Sequence, residues 1–155
     1  MTYKSCPTAI VNAPIEVVWE ILTEPAAWGA FFDVRIIDVQ PKGSALVGQR
    51  IYAESGSRFL RFRLKFRFTE VNTVEHKLQL NIELPFSISI REDLNCIPLS
   101  CTQCRVSYNC NFGFPSGWFG AIARVVLRRE IDAGPADSLS RLKRAAERQH
   151  ASGQA

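Results

Sequence analysis

A chain of 155 residues and 17.4 kDa has the length of one domain and can bury roughly two thirds of its unfolded surface around a single core. With 46% hydrophobic and 22% charged residues the balance is that of an ordinary soluble globular protein, and a net charge of +4 is too mild to imply nucleic acid or a membrane surface. No apolar run approaches the roughly 20 residues that span a bilayer, so no integral membrane contact is expected. Met1 to Pro7 lacks a basic region followed by an apolar one, which points to the cytoplasm, and five cysteines in such a chain read as free thiols rather than a disulfide framework.

Taken in order, Thr2 to Val11 reads as a first strand that ends at Asn12-Ala13-Pro14. Pro14 suits the first helical position, and Ile15, Val18, Trp19 and Leu22 then recur at helical spacing, with Glu16 in the first turn where the helix dipole favours an anion. Pro25 interrupts this helix, and Ala26 to Phe32 reads as a second short helix or helical turn. From Val34 the apolar period becomes two. Strands are expected at Val34 to Val39, Gly48 to Glu54, Arg58 to Val71, Glu75 to Leu84, Phe86 to Leu94 and Ser100 to Phe114, with turns at 41–43, 55–57, 72–73 and 95–98.

The clearest alternation sets Leu60, Phe62, Leu64, Phe66 and Phe68 against Arg61, Arg63, Lys65 and Arg67, one face apolar and the other cationic. The same parity puts Leu78, Leu80, Ile82, Leu84, Phe86, Ile88 and Ile90 inward, and then Val106, Tyr108, Cys110, Phe112 and Phe114. The parity of 48–54 is ambiguous at Tyr52. A long helix is expected from Pro115 to His150, with one apolar stripe of Trp118, Phe119, Ile122, Val125 and Val126 and another of Leu139, Leu142 and Ala146. At about 100° per residue these stripes differ by roughly half a turn, and Gly134-Pro135 is the expected kink or break that resets them. Trp19 and Trp118 are both expected to be buried, and Ala151 to Ala155 to fray beyond a single domain of residues 1–150.

This order of elements resembles the helix-grip fold of the START/Bet v 1-like (SRPBCC) superfamily. More closely, the chain is similar to the polyketide cyclase/dehydrase and lipid-transport family. The resemblance is carried by Val11 to Leu22, Trp28, Phe31-Phe32, Gly134 to Lys143 and Glu147, and it covers essentially the whole chain. It implies an α+β fold, a curved antiparallel sheet of about seven strands wrapped around the last helix, with a cavity between them for a small hydrophobic ligand. Trp28, Phe31 and Phe32 correspond to the family's second helix at the cavity mouth. Because the family has no universal catalytic residue, the resemblance assigns no chemistry by itself.

Parity and resemblance together give a candidate pocket. Its sheet side is Phe62, Phe66, His76, Leu80, Ile82, Ile88 and Tyr108, its helix side is Trp118, Phe119, Ile122 and Val126, and Trp28 and Phe32 border the mouth. His76 and Tyr108 are the candidate catalytic residues, beside any inward Arg or Glu, although a satisfied structural side chain is the more ordinary reading of the histidine. The cationic ladder from Arg61 to Arg67 reads as a solvated outer face rather than a headgroup or nucleic-acid surface. Cys101-Thr102-Gln103-Cys104 lacks the second ligand pair of a zinc site and begins a strand rather than a helix, so free thiols are expected. No nucleophile–base pair, phosphate loop or metal cluster is visible, and no cofactor or metal is implied. The resulting expectation is a monomer or weak dimer that binds and carries a lipid, polyketide or aromatic metabolite. An aromatase/cyclase-like enzyme acting in the same cavity is the alternative, and an interaction module using the basic sheet face a third reading.

Overall fold

The computed structural model describes residues 2–56 and 61–154, without the side chains of Thr2 and Glu130. The elements run β1 (Thr2–Ser5), β2 (Thr8–Val11), α1 (Ile15–Leu22), a 3-10 turn (Pro25–Ala30), β3 (Arg35–Gln40), β4 (Arg50–Gly56) and β5 (Arg61–Asn72). They continue through β6 (Lys77–Glu83), a second 3-10 turn (Pro85–Ser87), β7 (Ser89–Ser100), β8 (Gln103–Gly113), α2 (Trp118–Val126) and α3 (Arg128–Gly153). The eight strands form one sheet in the order β1-β8-β7-β6-β5-β4-β3, with β2 also on β8, and every pair is antiparallel. The expected first strand is split at Cys6-Pro7, which explains eight strands instead of seven. The start of the fourth expected strand, Arg58 to Leu60, lies outside the described residues.

Alternation decides which face is covered. Leu64, Phe66 and Phe68 of β5, Leu78, Leu80 and Ile82 of β6, and Val106, Tyr108, Cys110 and Phe112 of β8 are buried, while Arg61, Arg63 and Arg67 face solvent. On β4 the buried parity is that of Ile51 and Ala53, leaving Tyr52 half-buried. The turn expected at 95–98 does not form. Strand β7 runs on to Ser100 past the end of β6 pairing at Asn95, so Pro98 has only β8 as a neighbour, the edge position a proline tolerates. Phe86 and His76 both leave the predicted parity in turns with positive φ, 65° and 52°, and Phe86 is solvent-exposed.

The cover comes from α1, the first 3-10 turn and α3. Ile15, Val18, Trp19 and Leu22 are the buried face of α1, as their spacing predicts. Trp28 is wholly buried, its indole N–H donating to the Leu22 carbonyl at 3.1 Å while its ring meets Phe66 and Phe68 edge-on. Helix α3 buries Ile131, Leu139, Leu142 and Ala146, and the Asn12 amide donates to Glu147 Oε1 at 2.9 Å, tying α3 to the start of α1.

Two expectations for the C-terminal region need correction. The helix divides at Leu127, not at Gly134-Pro135, and Pro135 lies inside α3. Moreover, Trp118 is not buried but 77% exposed, and Phe119, Ile122, Val125 and Val126 also face solvent. The two stripes differ in phase because they belong to two helices, of which only the second grips the sheet. Helix α3 continues to Gly153, and no helix among the described residues is long and apolar enough to cross a membrane.

This packing predicts a sharp contrast within the C-terminal region. Leu142→Ala, which removes a buried side chain, should cost roughly 2–5 kcal/mol in urea unfolding, whereas Val125→Ala should stay within about 0.5 kcal/mol.

Candidate functional site

Facing the covered sheet, the N-terminal half of α3 carries Gly134, Pro135 and Ser138, residues too short to reach the inward side chains opposite them. A cavity of about 420 Å³ remains between them, a size typical of small-molecule sites. Its sheet wall includes Phe62, Leu64, Phe66, Ile82, Ile88, Ile90, Tyr108 and Phe112, and Phe32 closes one end. Rings mark that end closely, with Phe32 centred 6.3 Å from Phe66 and 6.2 Å from Tyr108. The rim is polar. Arg141 of α3 approaches Asp33 at 3.8 Å across the opening, and Arg129 lies further along the same helix.

Of the residues singled out from the sequence, the structure brings Phe32, Phe62, Phe66, Ile82, Ile88 and Tyr108 to this cavity. Leu80 and Trp28 are fully buried in the packed core beside it and do not line it. His76 is elsewhere: it precedes β6, its ring meets Trp19 edge-on at 5.2 Å, and it does not reach the cavity. Trp118, Phe119, Ile122 and Val126 do not form the helix wall. That wall is supplied by Leu127, Ile131 and the short residues of α3.

The residue that sequence reading passed over is Glu92. It lies on β7 two positions after Ile90 and two before Leu94, on the inward parity, and is paired in register with Leu80 and Cys110. The signal was present in the alternation, but a charged residue among apolar ones is easily assigned to the outer face. Glu92 is only 5% exposed, lines the cavity, and has Oε2 buried without a hydrogen-bond partner; Oε1 has the Cys110 thiol 4.0 Å away. Burial lifts its carboxyl from 4.5 to about 7, opposed by hydrogen bonding from Tyr108 and reinforced by the charge of Asp93. Burial likewise raises Tyr108 and Cys110, helped by the nearby Glu92, so both stay protonated at neutral pH. The site is thus an apolar chamber holding one carboxyl group poised between its two forms and one neutral phenol.

Among the described residues no cluster of His, Cys, Asp or Glu could hold a metal ion. Cys101 is exposed in the β7–β8 turn while Cys104 is buried in the core, so the two thiols of the CxxC face different surroundings.

The family model for polyketide cyclase/dehydrase and lipid transport matches residues 7–147, nearly the full span just described. The chain belongs to this family. Solved structures share its fold across almost its entire length. The Zhui aromatase/cyclase from Streptomyces sp. R1128 superposes with a TM-score of 0.81 at 14% identity, covering 96% of each chain. Norcoclaurine synthase from Thalictrum flavum, in complex with dopamine and hydroxybenzaldehyde, gives 0.69 at 14% identity over 97% of this chain and 88% of the other. The di-domain aromatase/cyclase StfQ of the steffimycin biosynthetic pathway gives 0.67 at 16% identity over 94% of this chain and 45% of its own. At these identities the likeness is one of fold. No curated protein matches the chain in sequence.

The Glu92 environment has a consequence for stability whose sign is fixed. Between pH 4.5 and about 7 the folded chain keeps a proton that the unfolded chain has released, so the favourable contribution present at low pH is lost as pH rises through the folded value. Glu92→Gln should therefore gain on the parent chain by roughly 3 kcal/mol between pH 4.5 and 7, with the difference flat on either side. Urea unfolding at a series of pH values measures this directly.

Proposed function

We propose that the chain binds a small, mainly apolar ketone in the cavity between the sheet and α3 and catalyses proton transfer on it, in the manner of a cyclase or dehydratase. Glu92 is the acid–base group and Tyr108 the hydrogen-bond donor to the reacting oxygen. The observation that carries this reading is the buried carboxyl with an unpartnered oxygen in an otherwise apolar chamber. A simple carrier has no use for it, because burying a carboxyl group costs free energy that an apolar side chain of similar size would not. An acid–base catalyst needs such a group, since a pKa near the working pH lets one residue both take and return a proton.

The steps follow from the placement of the two groups. Ionised Glu92 removes a proton from the carbon next to a ketone, and the Tyr108 hydroxyl donates a hydrogen bond to the enolate oxygen that develops. The enolate carbon attacks a second carbonyl of the same molecule, closing a ring, and the new alkoxide takes the proton back from Glu92, which is ionised again. Glu92 then removes the second proton from the same carbon and gives it to the hydroxyl, which leaves as water as the double bond forms. The phenylalanines hold the chain folded and keep bulk water from competing. The family description and the aromatase/cyclase likeness support substrates of the polyketide kind. The apolar lining supports the second reading, a carrier of a lipid or aromatic metabolite that performs no reaction.

A small ketone separates the two. With 2-tetralone in deuterated buffer, solvent exchange at its activated carbon should be accelerated by the protein, with a rate rising through about pH 7 as Glu92 ionises. Glu92→Gln should slow this exchange about 100-fold or more while leaving 2-tetralone affinity, read by displacement of N-phenyl-1-naphthylamine, within about threefold. Phe62→Glu should weaken binding itself, and Arg63→Ser on the outer face should change neither. Exchange unaffected by Glu92→Gln, with binding intact, would leave the carrier reading standing.

A further inference from the structure

Helix α2 is turned inside out. Trp118, Phe119, Ile122, Val125 and Val126 fall within about 120° of its circumference, the stripe that a globular protein ordinarily turns towards its core. The opposite side carries Gly120, the buried residue of the helix, which lies so close to the Pro115 carbonyl of the entering loop that a Cβ would collide with it. The stripe is left facing outwards, with Trp118 77%, Val125 72% and Val126 68% exposed. Phe86, 72% exposed on its positive-φ turn, extends it, with its ring 5.6 Å from that of Phe119. A contiguous apolar patch of this kind on an otherwise polar surface marks a contact site.

We propose that this patch docks on an anionic lipid surface, with α2 lying in the plane of the interface. Charge selects that occupant. From Leu94 to Arg129 the sequence contains no Asp or Glu, while Arg124 lies within the helix and Arg128 and Arg129 directly follow it. Glu130 and Asp132 are the acidic residues that follow in sequence, and Asp132 is engaged by the Tyr3 hydroxyl at 2.8 Å and Arg128 at 3.6 Å. Arg129 makes no ion pair among the described residues. A strong apolar stripe with exposed Trp and Phe, short length and flanking arginines is the make-up of a helix that settles into the headgroup boundary without spanning the bilayer. A second copy of the chain fits less well. Nine residues of helix, about 14 Å long, offer far less than the roughly 800 Å² that each partner gives to a standard interface.

The patch adjoins the cavity. Phe114, just before α2, and Leu127 and Arg129, just after it, line the cavity wall. Docking therefore sets that rim against the lipid surface, giving an apolar ligand a way in or out that avoids water. This holds whether the cavity is a catalytic or a carrying site.

The native fluorescence reports the event. Trp19 and Trp28 are buried, so a change in emission on adding vesicles comes from Trp118. Vesicles of phosphatidylcholine containing roughly one third phosphatidylglycerol should sediment the protein and shift its emission to the blue, at least tenfold more strongly than phosphatidylcholine alone, with the advantage lost as salt is raised. The double variant Trp118→Ser, Val125→Ser should lose sedimentation while keeping the parent melting temperature, since neither side chain is buried. Arg128→Gln with Arg129→Gln should remove the preference for anionic vesicles. Three results would each overturn the proposal: no sedimentation with either vesicle, equal binding to both, or sedimentation that the Trp118 and Val125 substitutions leave intact. A blue shift that instead tracks protein concentration without vesicles, with doubled mass, assigns the patch to a second copy and overturns it as well.

Discussion

One requirement governs this molecule: a curved antiparallel sheet with a single apolar face must be covered along its whole length, and the cover provided is uneven. At the C-terminal end of α3, Leu139, Leu142 and Ala146 reach the sheet and α1 and fill the space. At its N-terminal end the helix presents Gly134, Pro135 and Ser138 to a wall of Phe, Leu and Ile, and packing fails there by the length of a side chain. The cavity is thus an outcome of composition along one helix, not of any special backbone device. Close-packed interiors resist voids, so a chamber of this size survives only because the residues on both sides are held by their own elements.

Within that chamber a polar group is worth more than on the surface, and costs more. Glu92 sits on a central strand whose register partners are Leu80 and Cys110, and no cation is among the groups that shift it. Burial therefore raises its carboxyl more than the Tyr108 hydrogen bond lowers it, the environment that sets a carboxylic acid to titrate near neutrality. Tyr108 shares the site and the same burial, but its proton stays in place, so the two groups divide the roles of proton carrier and hydrogen-bond donor by chemistry alone.

Much of this was legible in the sequence because it rests on parity. The run from Phe62 to Phe68 fixes which way one strand faces, and antiparallel pairing carries that choice to Ile82, Ile90 and Tyr108 without further information. Parity stops at the strand ends. His76 and Phe86 continue the pattern in letters, but both lie in turns where φ is positive, and a turn sends the side chain wherever its own geometry dictates. Glu92 shows the opposite limit, for alternation places it inside while its charge argues for outside, and only the surrounding fold decides which wins.

Helical periodicity is weaker still, because it reveals that a stripe exists without saying what it meets. The stripe of α2 and that of α3 were equally clear, and their difference in phase rightly required a break between them. Gly134-Pro135 was the visible breaker, yet Pro135 can sit inside a helix at the loss of one bond to the Ile131 carbonyl, whereas a division at Leu127 frees α2 to rotate independently. Once the break falls there, the two helices no longer share an inward side. The later one, rooted by Asn12 and Glu147, takes the sheet, and the earlier one has its apolar side left over. An amphipathic sequence thus serves as core cover in one helix and as outer surface in the next, and the difference lies in what anchors each.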